Sequence, residues 1–180
     1  MGRFHIHDST FGAGTVVTAP LPPKKAKREL FRPCGDSIVL PAVASFVPRV
    51  DFATPLVQMT GSFHPYFAGK LFRDEPEAKV KPYMLIFSAD NADIQAALQN
   101  GDKVFRLLGT VHLFGLLTAE ISFGVLNLSR RQPNLVYMIG TNQTGYLVTV
   151  MYKNGLWELD AQEPTAKNQW PAGTKIFFLD

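Results

Sequence analysis

Four cations fall within five residues at Lys24, Lys25, Lys27 and Arg28, and Arg32 follows four positions later. Closely spaced ammonium and guanidinium groups displace counterions from a polyanion, so short runs of this kind contact phosphate or act as nuclear import signals. Carried on a solvated arm, the same run serves as an interaction tail. These five residues are the candidate partner-binding or nucleic-acid-binding site. Arg130-Arg131 is a second, weaker pair, expected in the turn before Pro133.

Other residues with chemical potential do not converge in the sequence. His5-x-His7 has the spacing that puts two imidazoles on one face of a strand, with Asp8, His64 and His112 as further donors. No local Glu or third His supports the pair, and alternation with Phe4 and Ile6 reads as a half-buried strand, so no metal is expected. Gly12-Ala13-Gly14-Thr15 lacks the spacing and the following Lys-Ser/Thr of a phosphate loop, so a flexible turn is expected. Ser37 and Ser62 lack the strained elbow of a nucleophilic serine. Ser62 and His64 are expected to share a strand face, with no acid to orient them. Cys34, flanked by Pro33 and Gly35, is read as a passive thiol at the foot of the arm. Trp157 and Trp170 could stack on a base or a sugar, although in a sheet protein large aromatics usually serve the core. Trp170-Pro171-Ala172-Gly173 resembles a turn of the metal-binding cupin barrels, without the downstream histidine that motif uses. No catalytic residue, metal or cofactor is expected, and the protein is not read as an enzyme.

The chain that must position these groups has 180 residues, 46% hydrophobic and 18% charged, enough for one substantial core. Its 14 Phe and 5 Tyr favour sheets. No apolar run approaches the roughly 18 residues of a spanning helix. The first residues lack the apolar core of a signal peptide, so a soluble, non-secreted protein is expected, and the sequons at Asn127 and Asn142 carry no meaning without secretion. One cysteine excludes a disulfide framework. Residues 1–33 carry six cations against two carboxylates, net +4, while the remainder carries twelve against thirteen, net −1. A nucleic-acid-binding domain would show its basic face across the folded part.

Ten of the 13 prolines lie between residues 20 and 82. Because proline fixes φ and donates no hydrogen bond, long central strands are not expected there. Residues 1–35 are read as an extended, Pro-rich basic arm and 36–180 as one β-rich domain. Strands are expected over 37–46, 56–63, 83–88, 120–128, 135–139 and 174–179. Asn154-Gly155 suits a two-residue type I′ turn, which would set Tyr152 opposite Trp157 and Val150 opposite Leu159 on the core face of a hairpin. Residues 90–101 form the one expected helix longer than two turns, capped by Asp90 or Asn91, with Ile94 and Leu98 buried. The fold class that follows is mainly β, an antiparallel β-sandwich of jelly-roll type or a barrel, with one short helix and an N-terminal arm.

Three function classes remain. A structural assembly protein, such as a small capsid, decoration or tail protein of a virus or phage, would explain an apolar arm joined to a near-neutral β body. Phe4, Ile6, Phe11, Val16 and Val17 then need a partner surface, which other copies of the chain or other virion proteins supply by strand addition, in the virion or the host cytoplasm. A nucleic-acid-binding barrel using the basic arm comes second, and an enzyme or ligand-binding barrel third.

Overall fold

The structure, a computed structural model, describes residues 29–47, 54–67, 72–100, 104–124, 128–163 and 165–180. His5, His7, the glycine turn at 12–14 and the cluster Lys24, Lys25, Lys27 and Arg28 lie outside the described residues.

The mainly β expectation holds, built on one large sheet. Strands β1 (Phe31–Pro33), β2 (Ile38–Leu40), β4 (Val57–Met59), β6 (Ala78–Leu85), β8 (Asn134–Ile139), β9 (Gly145–Lys153), β10 (Leu156–Gln162) and β12 (Lys175–Leu179) form it, in the order β1-β6-β12-β8-β9-β10-β4. β2 also pairs with β6, end to end with β1. Two pairings are parallel, β4 with β10 and β8 with β12, so the sheet is mixed rather than wholly antiparallel. Two small ribbons stand outside it, β3 (Val43–Phe46) with β5 (Phe72–Glu75), and β7 (Ala89–Asp90) with β11 (Gln169–Trp170).

Side-chain alternation sends the central strands into two cores. Val136, Val148, Val150, Trp157, Leu159 and Phe177 bury one face beneath helix α3 (Thr110–Phe123) and the short α1 (His64–Phe67). Leu135, Tyr137, Leu147, Ile176 and Phe178 bury the other beneath α2 (Asn91–Asn100), Phe105 and Leu107. Strands covered on both sides read as near-continuous apolar runs, which is why Leu135–Met138 and Tyr146–Val150 are buried throughout.

Helix α3 corrects two expectations: residues 90–101 do not hold the one helix longer than two turns, and the strand expected over 120–128 begins instead as helix, Glu120 to Phe123. Leu113, Leu116, Leu117 and Glu120 repeat at i, i+3, i+4 and i+7 and are all buried. Alternation of Ile121 and Phe123 is only the last turn of that helix, which Gly124 ends at φ 62° with its N–H on the Glu120 carbonyl. At the other end, the Gly109 N–H donates to Nδ1 of His112 at 2.9 Å. Burial pushes His112 below the usual imidazole value; Glu75 opposes that shift and Arg106 adds to it. An unprotonated Nδ1 is what the bond requires. The stabilisation is therefore complete above the unfolded value of 6.5 and is lost as pH falls through the lower folded value. Melting curves should show a downward step in midpoint over that window, and His112→Asn should remove the step. An identical pH profile in both proteins would refute the cap.

Asp90 is the cap of α2. Its carboxylate accepts the Asp93 N–H at 2.8 Å and its own N–H donates to the Asp93 carboxylate at 3.2 Å, a reciprocal box made by two aspartates. Ile94 is fully buried, whereas Leu98 is half-buried at the margin.

Proline proves compatible with a central strand because of the side it faces. The Pro82 carbonyl accepts the Cys34 N–H at 3.1 Å, so the absent Pro82 donor also lies on the β1 side. Pairing with β12 is left intact, while the edge strand breaks at Cys34 and re-enters the sheet as β2 at Ile38.

The hairpin has the expected register throughout: Lys153 opposite Leu156, Tyr152 opposite Trp157, Met151 opposite Glu158, Val150 opposite Leu159. Asn154 and Gly155 hold φ of 51° and 85°. Gly155→Val puts a β-branched residue at positive φ and should cost about 1–3 kcal/mol. An unchanged denaturant midpoint would show that the turn tolerates a side chain it is built to exclude.

Candidate functional site

The first candidate is the root of the basic arm. β1 begins three residues after Arg28, at the edge of the sheet, held there by the Ile86 N–H on the Leu30 carbonyl at 2.9 Å. Phe31 anchors it, 3% exposed, with its ring 5.3 Å from Phe105 and 5.6 Å from Phe178. Sheet pairing therefore starts ahead of Gly35-Asp36, where sequence placed the arm's end. Alternation puts Arg32 on the α3 face, exposed, its Nε donating to the Met84 sulfur at 3.2 Å. Met84 pairs with Lys175 on β12, and Lys175 with Asn134 on β8. Just before Asn134 come the exposed Arg130 and Arg131, with Arg130 over the Tyr152 ring at 4.8 Å.

Strand pairing thus carries Arg32, Lys175, Arg130 and Arg131 to one end of the sheet, the end at which the cluster 24–28 joins the body. Cys34 lies beside this group, yet burial raises its thiol pKa, against the opposing charges of Lys175 and Arg32. That direction favours the protonated thiol at neutral pH.

The second candidate is a groove of about 310 Å³ on the α2 face of the sheet, beyond the helix's cover. The period of two along β9 and β10 supplies its floor, because Thr149, Met151 and Lys153 share a face with Glu158, Asp160 and Gln162. Thr60, just past β4, forms one wall, and Asn168 and Trp170 form the other. Asp160 is the hub. Its carboxylate accepts the Thr60 hydroxyl at 2.7 Å and also the Ser62 hydroxyl and the Gln162 amide. Asn168 donates to the Gln162 Oε1 at 2.7 Å. Glu158 is matched by Lys153 at 2.7 Å. The Trp170 ring is fixed by its indole N–H on the Asn91 side-chain Oδ1 at 2.7 Å, while the Asn91 Nδ2 donates in turn to the Glu163 backbone carbonyl at 3.0 Å.

Sequence reasoning missed this groove. Thr60, Asp160 and Asn168 are ordinary polar residues, and Asp160 lies 100 positions from Thr60. The one available signal was polar alternation on the outer face of the expected hairpin. Ser62 does not share a strand face with His64: residues 61–63 turn, and His64 opens α1. Both tryptophans are buried, Trp157 at 3% exposed in one core and Trp170 at 8% in the other, and Trp170 also reaches the wall of the groove.

Among the described residues no group of three or more His, Cys, Asp or Glu is placed to hold a metal ion. No helix among them is long and apolar enough to cross a membrane. No known protein family, curated protein or solved structure matches this chain.

Proposed function

We propose that this is a non-enzymatic assembly protein, a component of a virion shell or tail, which joins copies of itself by passing the N-terminal arm of one copy to the sheet of the next. One observation carries this reading. The strand into which the arm leads, β1, lies at one edge of the sheet order, and β4 lies at the other, with no strand on its outer side among the described residues. An arm leaving one edge and a free strand at the opposite edge form a head-to-tail pair, which propagates into a ring or a filament.

The dimensions suit this arrangement. Six strand spacings of about 4.8 Å separate the two edges by roughly 29 Å, whereas 28 residues fully extended reach about 90 Å. Open edges are templates for strand addition, and the apolar residues Phe4, Ile6, Phe11, Val16 and Val17 would gain cover by it. Light scattering over a concentration series, with electron microscopy, tests the proposal. Mass growing with concentration into rings or tubes supports it, and a monomer at every concentration overturns it.

A second reading, nucleic-acid binding by the arm, is favoured by the arrangement of Arg32, Arg130, Arg131 and Lys175 at the end where Lys24, Lys25, Lys27 and Arg28 join. The two differ in their response to salt. Phosphate contacts release counterions, so association would weaken steeply with salt, and changing Lys24, Lys25, Lys27 and Arg28 to Gln would flatten the slope. Strand exchange predicts little salt dependence and little effect of those four substitutions.

A further inference from the structure

We infer that the groove over β9 and β10 is a binding site for a neutral, hydroxyl-rich ligand: one or two sugar rings, seated against Trp170 and hydrogen-bonded through Asp160, Gln162 and Asn168. This inference is independent of the assembly reading. Its volume, about 310 Å³, lies at the small end of the range of about 300–1,000 Å³ for small-molecule sites.

The chemistry of the lining selects the ligand. Inorganic phosphate or another anion is disfavoured, because two carboxylates face the groove and the one cation among its described lining residues, Lys153, is already held by Glu158. A bare divalent cation is a poor match, because three donors already fill most of the roughly four acceptor sites of the Asp160 carboxylate, leaving room for one ligand hydroxyl rather than for a metal's coordination shell. An apolar ligand would bury these polar groups without replacing the water they bind. Adjacent hydroxyls of a sugar each donate one hydrogen bond and accept others. Such a ligand matches a surface where hydroxyl, amide and carboxylate groups alternate as donors and acceptors.

Preorganisation strengthens the case. The Asp160 side chain is fixed from Thr60, Ser62 and Gln162, Gln162 is fixed from Asn168, and the Trp170 ring is held by Asn91. Little rotamer freedom is left to lose when a ligand docks. The small exposed part of Trp170, which is otherwise buried, and Met151 offer apolar surface to the C–H groups of a sugar, in a floor otherwise made of polar groups.

The test is a titration of the full chain with glucose, galactose, mannose and N-acetylglucosamine, read by tryptophan fluorescence and by calorimetry. Both tryptophans are buried, but Trp170 touches the groove while Trp157 lies on the opposite face, so a ligand in the groove changes the Trp170 emission. Saturable binding of at least one sugar is expected. Asp160→Asn should weaken it by about tenfold or more, because a hydrogen bond to a charged acceptor is lost. Asn168→Ala, which removes a single surface amide, should weaken it by a smaller factor with the melting midpoint unchanged, and so keeps the test valid if Asp160→Asn fails to fold. Absence of saturable binding by every sugar in the panel overturns the inference. Equal binding by the wild type and both variants overturns it too. Saturation by methylguanidinium but by none of the sugars would also overturn it, marking the groove as an acidic site for cationic side chains.

Discussion

Deleting residues 1–28 should leave the melting midpoint of the remaining chain nearly unchanged while abolishing higher-order association. The described sheet and both of its cores are built from residues 29 onward, and β1 is anchored by Phe31 and by the Leu30 carbonyl. The cut must fall ahead of Glu29. Removing Phe31 as well would open a cavity among Phe105, Tyr83 and Phe178, and large-to-small losses of a buried phenylalanine cost about 3–5 kcal/mol. Differential scanning calorimetry and light scattering on the shortened chain separate the two effects. Association that survives the deletion would remove the arm from the assembly mechanism, and loss of folding would make it an integral part of the domain.

Trp157→Ala should cost about 3–5 kcal/mol, a large fraction of the roughly 5–15 kcal/mol that stabilises an ordinary domain. Trp157 is 3% exposed and lies on the hairpin strand next to β4, opposite Tyr152 with ring centroids 5.0 Å apart. Its backbone N–H, which the substitution retains, donates to the Leu56 carbonyl at 2.8 Å, and its partner on β4, Val57, packs against the same core and loses cover with the indole. The loss should therefore appear both in the denaturant midpoint and as faster amide exchange in β4. A shift below about 1 kcal/mol would show that the pocket collapses around the smaller residue, which a well-packed core resists.

What the sequence revealed depended on how local the physics was. Asn154-Gly155 encodes its turn in two residues, and the full hairpin register follows from it. The α2 helix was equally visible, because Asp90, Asp93 and the Ile94 stripe lie within one turn of each other. Helix α3 was misread because its alternating final turn, Ile121 and Phe123, outweighed the longer stripe from Leu113 to Glu120. The effect of Pro82 could not be read at all without its partner, since a missing N–H matters only on the side where a strand sits.

The candidate sites divide in the same way. Lys24, Lys25, Lys27 and Arg28 announce themselves by adjacency, whereas Arg32, Lys175, Arg130 and Arg131 meet only through three successive strand pairings. The Asp160 groove needs β4, the hairpin and β11 to be assembled before it exists.

The arm-exchange proposal is tested most directly by hydrogen exchange at β4. Thr60 donates its N–H inward to the Leu159 carbonyl at 2.9 Å, so alternation turns the Met59 amide to the open edge. In the full chain at concentrations where it associates, the peptide covering residues 56–60 should exchange slowly, because the arm of a neighbouring copy pairs with that edge. In the chain lacking residues 1–28, or in the full chain after dilution, the outward amide should exchange rapidly. Equal exchange in the associated and shortened proteins would contradict strand addition at β4.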